Sequence, residues 1–336
     1  MPLGFAKSLF TYAAAAASST GFAAHNDGQA VNASAKAGFA LKRNSAADNT
    51  TTNLLAGHSS GTTPNQRMSA VMWYRIDGTG EVENQGNGIR FMKSNWFSDQ
   101  RQIQFNYDTG FGYHLGLVGN DTNTYVRYMS TAGTPPTGTI SKSAYDSTYL
   151  DGAWHCVMAT LILTSDGSNP SNQSHIYHGD SGPGGEGQFS SGDQDVRLCD
   201  YLSIGYADTS NTAGAYTRHS SSSPTFPNYG TSTFAERGAK ADLGPIWVYT
   251  DQTIDFNVQS NRRKFFNPAN TDGFVDPGTD GTGGGAPQPE LFLYHNGTTL
   301  VNGGTQTNIT ISTATKGGGS INIIPASEGP GSGDTY

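Results

Sequence analysis

A tryptophan followed by a histidine, Trp154 and His155, opens the strongest apolar run of the sequence. A histidine that works as a general base needs a carboxylate or a nucleophile held next to it, and we expect no such partner within the hairpin 150–180. Strand alternation places Trp154, Cys156 and Met158 on one face and His155, Val157 and Ala159 on the other. Both faces are apolar, so the sequence predicts a structural, hydrogen-bonded role for His155.

Aromatic side chains in polar surroundings form a second group of candidates, because exposed aromatics over a polar loop rim can bind a sugar. Trp96 is the most suggestive, since it is flanked by Asn95, Ser98 and Asp99 in a predicted turn, where a core tryptophan is unusual. The candidates are Trp96, Phe97, Tyr113, Tyr216, Phe226 and Tyr229. Aromatics are enriched at protein–protein interfaces for the same reason, so carbohydrate binding and an interface anchor are equally favoured interpretations.

Two oxygen-rich loops offer candidate calcium ligands, Asp121 in GNDTNT and Asp208 in YADTSN. Carboxylate, amide and carbonyl oxygens are the ligands that calcium takes in proteins. Aspartate and asparagine are also the default residues of turns, and that is the interpretation we favour. Calcium is the one cofactor that the sequence suggests, and nothing in the sequence demands it.

The elements that must position these residues are predicted to be strands. The 336-residue chain is 14% charged and holds 44 glycines, with many serines, threonines and asparagines, a mixture that favours short strands and turns. The predicted strands are MSAVMWYRID, GIRFMKS, QIQFNYD, YHLGLVG, TYVRYMS, WHCVMATLILT, SHIYHGD, DYLSIGYAD and LGPIWVYTD. One short helix is predicted in NVQSNRRKFFN, after Asp255. The predicted fold class is all-β.

Charge and cysteine content exclude several classes of function. The formal net charge is −8, and the densest positive cluster, residues 262–264, fits a solvated strand end, so we expect no nucleic-acid partner. Cys156 and Cys199 are too few for a disulfide framework, and we favour two buried free thiols over a bridge between them. No apolar run reaches the roughly 18 residues of a membrane span.

Composition divides the chain into four segments. Residues 1–30 form a predicted N-terminal arm that imitates a signal peptide imperfectly, and we expect the arm to be retained. Residues 31–275 form the main β domain, and residues 276–289 form a Gly/Pro linker. The β segment and tail at 290–336 are too short to bury a core, so we expect them to dock on the main domain or on a partner.

The region from residue 31 to about residue 276 resembles the laminin-G-like and concanavalin A-like jelly rolls. The likeness is carried by DGAWHCVMATLILTSDGSNPSNQSHIYHGDSG, in which a D-G-x-W-H motif opens a strand that pairs, after a turn, with a second short strand. DYLSIGYAD and LGPIWVYTD resemble the strands that follow in this family. The resemblance implies a jelly-roll sandwich of two antiparallel sheets, with Trp154, His155, Trp247 and Tyr249 as its structural fingerprint.

Enzymes built on this sandwich, the glycosidases, carry glutamates spaced E-x-D-x-x-E, because the acid and the nucleophile must face one groove. That motif does not occur in the sequence. Glu81 and Glu83 share a strand face if their segment is extended, but charged turn residues are usually solvated. We therefore predict a protein that is not an enzyme and assign no catalytic residue; a glycoside hydrolase is a disfavoured alternative.

The N-terminal arm, the jelly roll, NRRKFFNP and the P-x-L-F-L-Y-x-N-G tail are together similar to lectin-like structural proteins of tailed bacteriophages, often marine ones. The similarity implies a virion protein, such as a fibre, tail or capsid-decorating component, that displays its lectin-like domain for adhesion to host-surface glycans. The arm and the C-terminal segment are then expected to contact other virion proteins, and a homo-oligomer, preferably a trimer, is expected. The alternative is a secreted bacterial carbohydrate-binding module.

Overall fold

Strands dominate the described part of the chain, and helix is confined to α1 (Gln259–Arg262) and two 3-10 turns, Thr271–Gly273 and Gly283–Gly285. The computed structural model describes residues 22–25, 36–43, 67–77, 90–96, 99–108, 112–118, 125–128, 151–162, 175–184, 201–204, 206–207, 237–238, 241–249, 253–296, 299–306, 309–316, 320–324 and 327–333. The prediction of an all-β fold class is confirmed, because the described residues are mostly antiparallel sheet with almost no helix.

Eighteen strands lie within the described residues, and every strand segment predicted from the sequence overlaps one of them. In chain order they are β1 (Phe22–His25), β2 (Lys36–Arg43), β3 (Arg67–Asp77), β4 (Arg90–Trp96), β5 (Asp99–Asp108), β6 (Gly112–Val118), β7 (Tyr125–Tyr128), β8 (Asp151–Ile162), β9 (His175–His178), β10 (Ser181–Gly184), β11 (Tyr201–Ile204), β12 (Tyr206–Ala207), β13 (Arg237–Gly238), β14 (Ala241–Tyr249), β15 (Leu291–His295), β16 (Leu300–Asn302), β17 (Ile309–Lys316) and β18 (Ser320–Ile323). Apolar runs between Gly, Asn and Asp turns were thus sufficient to locate the predicted segments, whereas β1, β10 and β13 were not predicted.

The strands form two large sheets and one small one. The nine-stranded sheet has the order β10-β9-β8-β3-β14-β1-β18, and β15 pairs with β14 and with β16. The seven-stranded sheet has the order β17-β2-β11-β4-β5-β6-β7, and β12 pairs with β13. The two large sheets approach each other where β7 lies beside β9 and β10, and where β2 lies beside β1 and β18.

The central strands of the nine-stranded sheet, β3, β8 and β14, are largely buried on both faces. One face, called here the tryptophan face, carries Trp73, Trp154 and Trp247, which belong to one core cluster. The opposite face, called here the histidine face, carries Tyr74, His155 and His178, and its apolar positions are also buried. A sheet that is apolar on both faces needs a cover on each of them.

Residues 253–296 cover the tryptophan face. Their contribution to the core consists of Ile254, Phe256, Phe265, Phe274, Ala286 and Phe292. The sequence predicts a linker at 276–289, but the structure places these residues against β14, where Trp247 Nε1 donates a hydrogen bond to the carbonyl of Gly281 at 3.2 Å. Gly281 has a φ of +81°, and a Cβ there would lie 2.8 Å from Pro289, so the tight approach depends on glycine.

Segments near both ends of the chain supply strands to the two sheets. β1, within the predicted arm, pairs with β14 and β18, aligning Phe22 with Leu243 and Ile323. In the predicted C-terminal segment, β15 pairs with β14, β18 with β1, and β17 with all eight residues of β2. The C-terminal strands therefore complete both sheets of the main domain.

Candidate functional site

A β-bulge at the start of β8 positions the first side chain of the candidate site. Arg75 pairs with Trp154 and Asp77 with Asp151, so β8 advances three residues where β3 advances two. The extra residue is accommodated by Gly152, whose φ of +82° is easily adopted only by glycine. The bulge brings the side chain of Asp151 close to His155 of the same strand.

The Asp151 carboxylate bonds to His155 as a consequence. Its Oδ1 accepts a hydrogen bond from the backbone N–H of Ala153 at 2.9 Å and lies 2.8 Å from His155 Nε2. Residues four apart on an extended strand are separated by about 13 Å, and the bulge removes that separation. The expectation that the hairpin offers His155 no carboxylate is therefore wrong.

Burial raises the pKa of Asp151, but the hydrogen bond and the charge of His155, with the N–H of Ala153, outweigh that effect. The net result is a pKa below the usual value of an aspartate. The carboxylate is therefore ionised at neutral pH, and it orients the His155 ring.

His155 connects this carboxylate to two further polar side chains on the histidine face. Its ring centroid lies 4.7 Å from that of His178 and 5.4 Å from that of Tyr74. Tyr74 Oη and His178 Nε2 are hydrogen-bonded at 3.0 Å. Asp151, His155, His178 and Tyr74 thus form a continuous chain, which we call the polar chain.

Desolvation makes the inner end of the polar chain neutral. It lowers the pKa of His178 well below the usual histidine value, and the nearby His155 lowers it further, against a smaller opposing effect of Asp151. At the Asp151 end of the polar chain, the side chains of Asp151 and His155 are 37% and 15% exposed. At the other end, Tyr74 is fully buried. The polar chain therefore opens to solvent at Asp151 and is closed at Tyr74.

An aspartate–histidine pair supplies two of the three members of a hydrolytic triad, and the third is a nucleophile beside the histidine. Within the described residues, the partners of His155 are Asp151, His178 and Tyr74. Tyr74 is fully buried, so it is inaccessible to a substrate. These contacts give His155 no described nucleophile, and its structural role stays a prediction.

A second polar cluster anchors α1 to the turn between β9 and β10. Arg263 holds the Asp180 carboxylate with two hydrogen bonds, Nη1 to Oδ1 at 2.7 Å and Nη2 to Oδ2 at 2.5 Å. Arg262 donates to Asp180 Oδ1 from Nε at 3.1 Å, and its Nη1 donates to the carbonyl of Phe256 at 2.6 Å. Its guanidinium also lies 4.4 Å from the centroid of the Tyr177 ring.

The Arg263 hydrogen bond lowers the pKa of Asp180 most; burial opposes the shift and Arg262 adds to it. The positive cluster that the sequence suggests as a solvated strand end is instead part of an internal clamp. Arg262 is in α1 and is almost entirely buried, so it cannot serve as a phosphate-binding residue on the surface.

Two of the four fingerprint residues, Trp154 and Trp247, donate hydrogen bonds to segments outside their own strands. Trp154 Nε1 donates to the carbonyl of Glu328 at 2.8 Å, which ties the tail segment 327–333 to the tryptophan face. Trp247 donates to Gly281 and packs its ring 5.5 Å from that of Tyr249. These contacts are scaffold contacts, in the regions where the sequence placed the fingerprint.

A buried ion pair lies beside Trp154. Arg75 Nε and Nη2 donate to Asp242 Oδ2 at 2.8 and 2.6 Å, and the guanidinium lies 5.1 Å from the Trp154 ring centroid. Both side chains are at most 3% exposed. Sequence inspection missed this pair, because its members are 167 residues apart and nothing local connects them.

Two of the predicted aromatic candidates lie on described strands, and the structure separates them. Trp96 is the last residue of β4 and pairs with Asp99, so it precedes the turn in which the sequence placed it. Tyr113 pairs with Tyr107 near the other end of β5. Asp99 and Tyr107 are eight strand positions apart, about 27 Å, so the two aromatics lie too far apart to share one small sugar.

The remaining predicted sites lie outside the described residues. These are Phe97, Tyr216, Phe226 and Tyr229 among the aromatics, Asp121 and Asp208 among the calcium ligands, and Cys199, Glu81 and Glu83. In the part of the chain that the structure describes, no three His, Cys, Asp or Glu side chains are grouped to hold a metal. In the same part, no helix has the length and apolar character needed to cross a membrane.

The comparisons with known proteins find structural likeness but no sequence relative. No protein-family model matches the chain, and no curated protein matches it. Among solved structures, the LG4-5 domains of the mouse laminin alpha1 chain align with 64% of this chain at 13% identity and a TM-score of 0.29. The alignment spans 44% of that laminin chain, and the similarity is too weak to assign a function.

Proposed function

We propose that the chain is a non-enzymatic structural protein of a tailed-phage particle, a fibre, tail or capsid-decorating component, whose two-sheet jelly roll displays a lectin-like surface for host glycans. The proposal combines the sequence resemblance with one structural observation. Two polar contacts of the described region join separate segments to the nine-stranded sheet: Asp180 bonds to Arg263 next to α1, and Trp154 bonds to the tail segment. Such an arrangement supports a rigid scaffold.

The two-sheet jelly roll is the architecture that best accounts for the buried faces. The tryptophan face is covered by residues 253–296, whereas the histidine face requires a different cover. The seven-stranded sheet lies beside the nine-stranded one at both flanks and fits that position. In this arrangement the hairpin ends of the seven-stranded sheet are available to display binding residues, as loops on a rigid scaffold commonly are.

Location on the particle is tested by an antibody raised against the purified full chain. We expect the antigen in density-banded phage particles from the source culture, in a fixed ratio to the major capsid protein. Antigen confined to the particle-free medium would overturn the virion assignment and favour a secreted carbohydrate-binding module.

Glycan binding is tested on an array of bacterial surface polysaccharides with the full chain. We expect Trp96→Ala to abolish the strongest binding and Tyr113→Ala to leave it unchanged, because the two positions lie at opposite ends of β5. Equal loss in both variants, or no binding by the wild type, would contradict a glycan site at the Trp96 hairpin.

The absence of catalysis is tested on the same polysaccharides by assaying released reducing ends. The polar chain is the described group best arranged for acid–base chemistry, so Asp151→Asn is the informative variant. Wild-type hydrolysis that disappears in Asp151→Asn would overturn the non-enzymatic assignment.

A further inference from the structure

Among the described strands, the two large sheets end in four strands that lie on two flanks, and β16 ends the side branch that starts at β14. β7 and β10, the end strands of the two sheets, lie beside each other on what we call the guarded flank. β17 and β18, the end strands at the opposite side, lie beside each other on what we call the open flank. Edge strands present unpaired N–H and C=O groups that can pair with another chain, so proteins normally protect them.

The guarded flank carries the usual protective features. β10 contains Pro183, which has no N–H to donate, and it runs for only four residues. β7 is also four residues long and contains Arg127. Short length, proline and charge are the features that prevent an edge from pairing with a second sheet.

The longest strand of the open flank is neither short nor interrupted by proline, and its charge is confined to one end. β17 runs for eight residues, ITISTATK, with neither proline nor glycine, and its one charge is the terminal Lys316. Among the described strands, β17 pairs on one side only, with β2. Threonine and isoleucine favour extended backbone, so the strand is well suited to accept a further strand.

We propose that β17 joins two copies of this chain edge to edge, antiparallel, about a two-fold axis at Ser312. A two-fold axis perpendicular to the sheet keeps each face of one copy continuous with the same face of the other. In this register Ile311 lies opposite Thr313, and Ile309 lies opposite Thr315. The seven-stranded sheets of the two copies become one continuous sheet.

The register within the sheet supports this alignment. Ile311 and Thr313 pair with Leu41 and Phe39 of β2, which themselves pair with Leu202 and Ile204 of β11. Rows of apolar residues therefore cross three strands and continue into the second copy. A pairing shifted by one residue would align these rows with the polar face, where Lys42 and Lys36 alternate with small residues.

We assign a second copy of this chain as the partner because two β17 strands can pair antiparallel without placing like charges opposite each other. With the axis at Ser312, the outermost pair of described residues is Ile309 and Thr315. Lys316 lies outside that pair, so it does not face the Lys316 of the second copy. The dimer goes beyond the proposed function, and its two-fold symmetry differs from the trimer expected from the sequence resemblance.

The test measures the mass of the full chain by sedimentation velocity across the micromolar range. We expect a concentration-dependent rise from 35.4 kDa to twice that mass. Ser312→Lys places two lysines opposite each other at the axis and should weaken dimerisation by about fivefold or more, as Ser312→Glu should. An equimolar mixture of these two variants should restore the dimer, because lysine then faces glutamate.

The matched control is Ser181→Lys, which adds the same charge to an exposed residue of β10 on the guarded flank and should leave the dimer unchanged. A wild-type monomer at every concentration overturns the proposal, as does a dimer that survives both Ser312 variants. Should either variant fail to fold, hydrogen exchange of the wild type decides. Amides of 309–316 must become more protected at high concentration while those of 125–128 do not, and equal behaviour of both segments overturns the proposal.

Discussion

His155 Nε2 lies 2.8 Å from Asp151 Oδ1, although four strand positions separate the two residues. The contact exists because Gly152 shortens the path between them through a bulge. It fixes the outer end of a polar chain whose inner end, Tyr74, is fully buried. One glycine thus determines how titratable groups on the histidine face connect to solvent.

Replacing Gly152 should therefore lower the free energy of unfolding, and the loss should be larger for residues that tolerate a positive φ less well. Gly152→Val places a β-branched residue at a φ of +82° and should lower the free energy of unfolding by about 1–3 kcal/mol. Gly152→Asn is the matched control, because asparagine tolerates the left-handed region, and it should lose less. Urea unfolding followed by tryptophan fluorescence measures both, and equal losses would show that backbone strain is not the cause.

Stability should fall as the pH drops below about 6.5, the ordinary pKa of histidine. The pKa of His178 in the folded protein is lower than that, chiefly because of desolvation, so the unfolded chain takes up a proton first. His178 thus contributes stability in full above the unfolded pKa and loses it on acidification, by up to about 1.4 kcal/mol per pH unit.

The measurement is the free energy of unfolding in urea at several values between pH 7.5 and about 5, the range below the ordinary histidine pKa. His178→Gln should flatten the profile, leaving a smaller slope from His295, whose pKa burial also lowers. Asp151 and Asp180, whose pKa values are lowered, should reduce stability further in more acidic solution. An unchanged slope in His178→Gln would rule out the assignment to this residue.

The Asp180 clamp should contribute measurably to the attachment of residues 253–267. Asp180→Asn removes the paired hydrogen bonds to Arg263 and leaves the nearly buried Arg262 without its carboxylate, for an expected loss of about 1–2 kcal/mol. Arg263→Lys keeps the charge but loses the paired geometry, and it should lose less. The Asp180–Arg263 pair is partly exposed, so high salt should reduce the difference in the free energy of unfolding between Asp180→Asn and the wild type. A difference unaffected by salt would contradict an ionic origin.

The strands could be predicted because their determinants are local. MSAVMWYRID is a short, nearly continuous apolar run with aromatic residues that ends at an aspartate, and it coincides with β3 within one residue at its start. The short helix in NVQSNRRKFFN is present as α1 for the same reason. Asp255, the predicted start signal, accepts the N–H of Asn257 in the preceding turn rather than capping the helix, which begins after Val258.

The polar contacts could not be predicted, because they depend on register and on one backbone angle. An ideal strand keeps Asp151 and His155 about 13 Å apart, and only the conformation of Gly152 brings them together. The Asp–Gly dipeptide at 151–152 was a turn signal that could have suggested the bulge. Arg75 and Asp242 meet because β3 pairs with β14 across most of the chain, a long-range pairing without a local determinant.

Cys156 should be unreactive in the folded protein. Its thiol is free, the residue is 1% exposed, and burial raises its pKa well above the usual value, so the reactive thiolate is scarce. In a Cys199→Ser background, a disulfide reagent at mildly alkaline pH should modify Cys156 only after denaturant is added. Cys156→Ala should keep most of the stability because the site stays apolar, whereas Cys156→Ser buries a hydroxyl and should lose about 1–3 kcal/mol more. Rapid modification of the native protein would mean that the tryptophan face opens to solvent more readily than its packing against residues 253–296 implies.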